Sequence, residues 1–400
     1  MSTAPLYSFK ADVSPSILFL GAAAVVFLIL AILEPRIGLL RRFQPKAAVP
    51  EKQLVQGEPR VSDPDPFLDF DLETARTRDH IYVNKCLRYP YFQTMAHQPM
   101  HINNWIEIDS DYRKQMAYKK QVIEDHPDKT VLSLPENDDG CKELLETLVD
   151  YLPKRYPTLF EALTDGGIYN KVLNERHPAC ARLSGVDALK VASRLVQCDF
   201  LMGREREDGH VYFTGGLVAI PGFYDFSAKI GKSMYDVHVP VPQFNEKILM
   251  SVERTLKRFK PHEPFERSSW EIVDDVFSHH HGIADLDEGD KLREDLHPKD
   301  YIFRIDHQTF RKLPRSQAII FGVHPILRRL ETFANLPLIP ALLATVHEKA
   351  PADLMKYKLA SVYQDKMLPY LKELTQSQID RGLIKGDEDV SNFRDLLAKA

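Results

Sequence analysis

A polar run in the last third of the chain carries many of the side chains that could do chemistry. Residues 304–316 read Arg-Ile-Asp-His-Gln-Thr-Phe-Arg-Lys-Leu-Pro-Arg-Ser, and the apolar segment Ala318 to Val323 follows. The run combines cations, a carboxylate, an imidazole and an amide between two β-type segments. Charges held between packed strands need partners. The pattern therefore predicts a site that binds a polar or ionic ligand.

A second group of candidate ligands is the run His279, His280 and His281. Adjacent histidines cannot all turn toward one metal ion. The run also adjoins an acidic stretch, residues 284–300. We expect a solvated loop here, with at most adventitious affinity for metals.

Familiar catalytic motifs are missing from the sequence. It contains no Gly-x-Gly-x-x-Gly, no Walker loop, no Gly-x-Ser-x-Gly elbow and no His-Glu-x-x-His pair. This disfavours nucleotide-binding and hydrolase functions.

The composition is that of a globular protein. The chain has 400 residues, of which 44% are hydrophobic and 27% are charged, with a formal net charge of -5. That balance gives no general attraction to nucleic acid, and no nucleic-acid-binding motif occurs. The four cysteines are scattered, and the chain has no Asn-x-Ser/Thr sequon. Both features are typical of a reducing cytosolic environment.

The elements that must position the polar residues can be predicted from periodicity. Apolar residues recur with helical spacing in residues 141–152, 186–196, 244–259 and 338–347. Segments rich in β-branched and aromatic residues are 211–220, 269–273, 301–305 and 318–323. Because helices do not regularly separate the later strands, we expect an α+β fold with a mostly antiparallel sheet.

An apolar stretch near the N-terminus is about long enough to cross a bilayer. Residues 17–33 form an uninterrupted apolar run. A secretory signal peptide would have a shorter apolar core followed by a small-residue cleavage site. Here Glu34, Pro35 and Arg36 follow directly. A retained transmembrane anchor over residues 15–34 is favoured over a cleaved signal.

Charges around this stretch predict its orientation. Lys10 and Asp12 nearly cancel on the N-terminal side, and basic residues follow the span at Arg36, Arg41, Arg42 and Lys46. The positive-inside rule then places the large C-terminal part in the cytosol. The charges fix only this topology; we expect the endoplasmic reticulum membrane, with another internal membrane as the alternative. The predicted organisation is a lumenal segment (1–14), the anchor (15–34), a proline-rich tether (35–66), a folded domain (67–375) and a C-terminal tail (376–400).

Several short motifs occur in a characteristic order. The two most specific are a His-x-Pro-x-Pro turn at residues 238–242 and a Gln-Thr-x-Arg-x-Leu-Pro run at 308–314. Together with residues 105–109, 195–199, 222–231 and the strand around Trp270, they resemble the α-subunit family of haem-dependent oxidative N-demethylases. The resemblance spans roughly residues 85 to 360.

The resemblance implies a PAS-like fold, in which an antiparallel sheet and flanking helices enclose a b-type haem that activates dioxygen. It also implies a reaction in which a small amine loses a methyl group as formaldehyde. The electrons would come from a reductase partner, because no segment of this chain resembles a reductase. The chain would be a membrane-anchored, eukaryotic member of the family.

His238 is the candidate axial ligand to the haem iron. It lies in a turn stiffened by Pro240 and Pro242, ahead of a predicted helix, so one imidazole nitrogen would be held at a fixed angle. By residue chemistry alone, a histidine that caps the helix or bonds within the loop is the commoner case, and the resemblance favours ligation. Cys198 is the alternative ligand, although buried free cysteine is ordinary in such an apolar segment.

Haem propionates need cations, and the polar run supplies Arg304, Arg311, Lys312 and Arg315. The resemblance adds Lys229. The alternative is that these charges simply face solvent, as most charged side chains do. We expect one or two of the set to contact haem, with Lys229, Arg304 and Arg315 as the first candidates.

Asp306, His307 and Gln308 are the candidate catalytic residues. A carboxylate could hold a substrate ammonium, and an imidazole or amide could bond to oxygen. An ordinary ion pair is the alternative for Asp306 and His307. Bacterial members usually read Glu-Arg-Gln-Thr at residues 306–309 and Ile-Arg-Thr-Tyr from residue 323, so this chain lacks an arginine at both places. The difference points to another cavity shape, a larger amine, or haem binding without turnover.

Two functional classes follow from these expectations. The first is a haem monooxygenase that dealkylates an amine, and the second is a haem-based sensor or carrier. Substrate-dependent release of formaldehyde would separate them. A binding module without haem is a third alternative.

Overall fold

An antiparallel sheet forms the centre of the protein. The computed structural model describes residues 61–222, 224–274 and 295–397. The predicted lumenal segment and anchor, most of the tether and the run His279 to His281 lie outside the described residues. Among the helices within those ranges, none has the length and apolar character needed to cross a membrane.

The strands are β1 (Gln98–Pro99), β2 (Val131–Ser133), β3 (Phe160–Ala162), β4 (Ile168–Asn170), β5 (Glu175–His177), β6 (Asp199–Glu205), β7 (Val211–Leu217), β8 (Phe265–Val273), β9 (Ile302–Lys312) and β10 (Ile319–Arg329). The helices are α1 (His80–Val83), α2 (Tyr112–Asp125), α3 (Pro127–Thr130), α4 (Asp138–Arg155), α5 (Gly185–Ser193), α6 (Met234–Val237), α7 (Leu249–Arg258), α8 (Ile339–Lys349), α9 (Ala352–Tyr357), α10 (Gln364–Asp380) and α11 (Phe393–Leu397). A π-helical turn, Phe244–Ile248, leads into α7.

The main sheet has the strand order β1-β8-β9-β10-β6-β7-β2, and a small sheet has the order β3-β4-β5. Neighbouring strands pair antiparallel in both. The long β9–β10 hairpin lies near the middle, with Ile302 opposite Arg329 and Lys312 opposite Ile319. The mixed helix and antiparallel-sheet prediction is confirmed.

Both faces of the main sheet are buried, and side chains along each strand alternate between them. One face packs against α4, α5, α8 and α10 through residues such as Ile305 and Ile320. The other packs against α7 through Phe310 and Val323. A polar residue in these strands therefore needs a partner whichever way it points.

The polar run does not lie between two strands, as predicted, because β9 continues through it. Only residues 313–318 form the turn to β10. The strand can bury these charges because alternation gives them partners on both faces. Arg304 bonds to Asp306 on one face, and His307 bonds to Glu266 on the other.

Described residues on both sides of the predicted folded domain, 67–375, have contacts with it. Asp63, in the predicted tether, pairs with Lys154 of α4 at 2.7 Å. At the other end, α10 runs past residue 375, and Phe393 of α11 is fully buried. The described parts of the predicted tether and tail thus pack on the domain.

Candidate functional site

A cavity of about 700 Å³ lies between the main sheet and the segment that contains α6 and α7. Its volume is within the range typical of cofactor and ligand sites. Phe310 and Val323 form part of the sheet wall, and Val241 and Phe244 form part of the opposite wall. We call this side of the sheet the cavity face. Its mostly apolar lining suits a large, flat, apolar ligand.

His238 lies in the cavity wall at the C-terminal end of α6. Ser233 and Asp236 form a capping box that fixes the start of this short helix. The Nδ1 atom of His238 lies 2.8 Å from the carbonyl oxygen of Met234, so Nδ1 carries a proton and donates it. The imidazole stacks on Phe244 with 3.9 Å between ring centroids. Burial lowers the pKa of His238 to about 4, and Nε2 therefore keeps its lone pair at neutral pH.

Two cations without carboxylate partners also line the cavity. Burial lowers the pKa of Lys229 to about 8, and its Nζ lies 4.9 Å from the centre of the Tyr224 ring. Burial also lowers the pKa of Arg267, whose Nε is buried without a hydrogen-bond partner. Within the described ranges, neither side chain forms an ion pair. The wall therefore carries two charges that an anionic ligand would neutralise.

A charged group formed by Glu271, Arg304 and Asp306 lies at the cavity face. Arg304 Nε donates to Asp306 Oδ1 at 2.8 Å and lies 3.2 Å from Glu271 Oε1. Burial raises the pKa of Glu271 to about 7, an effect that Arg304 opposes and Asp306 reinforces. One guanidinium thus faces two carboxylates. The carboxyl group of Glu271 is therefore more basic than that of an exposed glutamate.

Gly222 makes room for this charged group. Its φ of +71° lies in the left-handed region, and a Cβ at this position would overlap the Glu271 carboxylate. The neighbouring backbone also contributes a partner, since Arg304 Nη2 donates to the carbonyl oxygen of Ile220 at 2.8 Å.

Gln308 and Ser269 add a neutral polar contact to the cavity wall. Gln308 Nε2 donates to Ser269 Oγ at 3.0 Å. In the described part of the chain, no hydrogen bond uses the Ser269 hydroxyl proton. That proton remains free for a ligand.

His307 lies on the opposite face of β9 from Asp306 and Gln308. It is buried, and its Nε2 lies 2.8 Å from Glu266 Oε2. Burial lowers the pKa of His307 to about 4. Strand alternation therefore separates His307 from the neighbours with which the sequence grouped it, and His307 does not line the cavity.

Arg315 lies in the turn between β9 and β10, away from the cavity. It pairs with Glu143 and Glu146 of α4, and its backbone N–H donates to Glu143 Oε1 at 2.9 Å. The structure thus brings Lys229 and His238 to the same cavity. It places Arg304 beside the cavity carboxylates, and it places Arg315 elsewhere.

The remaining cations of the polar run also have other contacts. Arg311 stacks over Trp105 with 3.9 Å from its guanidinium carbon to the ring centre. Lys312 donates to the carbonyl oxygen of Lys257 at 2.8 Å. Neither Arg311 nor Lys312 lines the cavity.

Cys198, the alternative iron ligand, lies in the core of the opposite face and does not line the cavity. Burial raises the pKa of its thiol to about 12. The protonated side chain packs as an apolar group.

Sequence reasoning missed Arg267 and Glu271, which share the cavity face of β8 with Ser269. The predicted strand 269–273 began too late to include Arg267, because β8 starts at Phe265. Side chains alternate between the two faces of a strand, so the pattern on either side of Trp270 was the signal that could have placed Glu271 on the same face as Ser269.

These features define a mixed α and β domain with an interior cavity lined by a neutral histidine and by two cations that form no ion pair with any described residue. Residues 96–368 match the model of the family described as haem-dependent oxidative N-demethylase, alpha subunit-like. The match covers more than half of the chain, and the protein belongs to this family. The resemblance carried by the sequence motifs is confirmed.

The cavity residues fit the haem that the family description implies. His238 offers a neutral imidazole, and among the described residues no hydrogen bond occupies its Nε2. The apolar walls suit a porphyrin. Lys229 and Arg267 supply two cations, which match the two propionates of haem.

Proposed function

We propose that this protein is a haem-dependent monooxygenase of the oxidative N-demethylase type. The observation that carries the proposal is one cavity that holds both an imidazole nitrogen and two cations for which the described part of the chain supplies no hydrogen-bonding or ion-pair partner, respectively. His238 ligates the iron of a b-type haem, and Lys229 and Arg267 hold the propionates. The domain is PAS-like. When bound, the haem supplies the iron at which dioxygen is activated, with electrons from a separate reductase.

Asp306 and Glu271 bind the substrate amine in this proposal. An ammonium ion favours a carboxylate partner, and both of these carboxylates line the cavity. Glu271 accepts the ammonium proton, because its raised pKa makes it a stronger base than an exposed glutamate. Gln308 and Ser269 form hydrogen bonds with polar atoms of the substrate in the same part of the cavity. The residues thus select a cation and convert it to the neutral amine.

Overall, the methyl group of the amine leaves as formaldehyde. One oxygen atom of dioxygen enters formaldehyde, and the other forms water with two electrons and two protons. Methylated secondary and tertiary amines are therefore the substrate class.

Turnover of the haem-loaded full chain with an added reductase tests the proposal. Formaldehyde should accumulate in proportion to dioxygen consumed when a methylated amine is present. The matching amine without a methyl group should release none. A protein that binds haem and gases but releases no amine-dependent formaldehyde is a sensor or carrier, and that result would refute the monooxygenase.

We also propose that residues 15–34 anchor the protein in the endoplasmic reticulum membrane, with the domain in the cytosol near its reductase. The apolar run 17–33 and the basic residues after it support this arrangement. Glycosylation sequons introduced before residue 10 and after residue 60 test it in microsomes. Only the first should be glycosylated, and glycosylation of the second alone would contradict the topology.

A further inference from the structure

On the sheet face opposite the cavity, three buried side chains from separate segments converge. His80 belongs to α1, Glu107 lies in the segment before α2, and His307 belongs to β9. Their exposed fractions are 1%, 8% and 1%. The proposed amine oxidation uses none of them.

The potential ligand atoms of this cluster face one another. Glu107 Oε1 lies 3.1 Å from His80 Nε2 and 3.7 Å from His307 Nδ1. The ligand atoms of all three residues lie within 4.8 Å of one another. Ligands about 2.1 Å from a tetrahedral zinc ion lie roughly 3.4 Å apart, which is close to the spacing between Glu107 Oε1 and each of the two imidazole nitrogens.

The second nitrogen of His307 is held by a carboxylate. Its Nε2 lies 2.8 Å from Glu266 Oε2, so Nε2 carries the proton and Nδ1 keeps the lone pair on the side of Glu107. A carboxylate that orients a histidine in this way is a regular feature of protein metal sites.

In the structure, Arg78 is the cation that pairs with the carboxylates of Glu107 and Glu266. Its Nη2 lies 2.6 Å from Glu107 Oε1 and 2.7 Å from Glu266 Oε2. Its side chain is 27% exposed, so the guanidinium can turn outward to water. A metal ion would use the same oxygen of Glu107, and the two cations would therefore compete.

We propose that His80, Glu107 and His307 form a binding site for a divalent transition-metal ion, which displaces the Arg78 guanidinium. Two imidazoles and one carboxylate favour ions of the Zn²⁺ type over Mg²⁺ or Ca²⁺. A water molecule completes the coordination. The site is separate from the haem cavity, because the main sheet lies between them.

Calorimetric titration of the full chain with Zn²⁺ tests this site. All proteins carry H279S, H280S and H281S, which remove the histidine run as a second source of binding. We expect one equivalent of Zn²⁺ to bind, and H80N and H307N to weaken binding by about tenfold or more. H324N is the matched control, since His324 is buried directly opposite His307 on β10 and should leave binding unchanged.

Arg78→Gln distinguishes a metal site from a structural hydrogen-bond network. Removing the competing guanidinium should strengthen Zn²⁺ binding by about tenfold, even if the variant is less stable. His238→Ala should bind Zn²⁺ as the parent does, which keeps this test independent of haem. The proposal is wrong if the folded parent and R78Q bind no Zn²⁺, or if H80N and H307N bind it as tightly as H324N.

Discussion

His238 and His347 show at the residue scale how one difference in surroundings changes the role of a histidine. Each Nδ1 lies 2.8 Å from the carbonyl oxygen four residues earlier. Burial lowers the pKa of each to about 4. The Nε2 of His347 lies 3.2 Å from the Tyr363 hydroxyl, whereas no described residue forms a hydrogen bond with Nε2 of His238 in the cavity wall. His347 is therefore a matched control for the proposed iron ligand.

Glu271→Gln should weaken binding of a cationic amine. The variant keeps the size of the side chain and removes the charge that attracts ammonium. We expect KM to rise about tenfold, which corresponds to about 1.4 kcal/mol. The KM is measured from the steady-state rate of formaldehyde release. The control is Glu246→Gln, because Glu246 is an exposed glutamate outside the cavity lining, and this variant should leave KM unchanged. An equal rise in KM in the control would show that Glu271 does not bind the amine.

Glu271 should also make stability depend on pH. Its pKa is raised from 4.5 in the unfolded chain to about 7 in the folded protein, so the folded state binds the proton more tightly. Its contribution to stability is full below pH 4.5 and is lost as the pH rises through 7. Denaturant unfolding should show a loss of about 1–3 kcal/mol across this window relative to Glu271→Gln. Parallel pH profiles for the two proteins would contradict this assignment.

At the scale of elements, β9 shows what the sequence could predict and what it could not. The spacing of apolar residues located α4, α5 and α8, because these helices each bury one side. It could not locate the cavity face of β9, because both faces of this strand are buried and polar residues occur on each. Asp306 and His307 are neighbours in the sequence, yet they serve different sides of the sheet.

Gly222, in the loop before α6, leaves the space that the Glu271 carboxylate occupies. Gly222→Ala should destabilise the fold by about 1–3 kcal/mol and shift Glu271, because its Cβ would overlap that carboxylate at a positive φ. Gly231→Ala is the control, since its φ is +80° but no atom lies within 4 Å of its Cβ. Only the first should raise KM for the amine. If both variants have the same KM, Gly222 does not shape the site.

At the scale of the whole molecule, the main sheet separates two sites. The cavity with His238 lies on one face, and the cluster of His80, Glu107 and His307 lies on the other. The sequence predicted the α+β class and the family, since periodicity and motif order are local in the chain. It could not predict either site completely, because Arg267, Glu271 and His80 join them only through sheet pairing and packing.

Haem should stabilise the whole fold, because its cavity draws residues from β8, β9 and the α6–α7 segment. A ligand present at 100 times its Kd adds about 2.7 kcal/mol to the free energy of unfolding. We expect haem to raise the Tm of the full chain by several degrees. The rise should be much smaller in His238→Ala, and an undiminished rise in that variant would show that His238 does not hold the cofactor.

The optical spectrum of the haem-reconstituted full chain, before and after reduction, tests the central claim most directly. The native protein and His347→Ala should show a Soret band that shifts on reduction, and His238→Ala should show a weakened or altered band. Circular dichroism should confirm that all three proteins are folded. A folded native protein that takes up no haem, or a His238→Ala spectrum identical to the native one, would contradict the account.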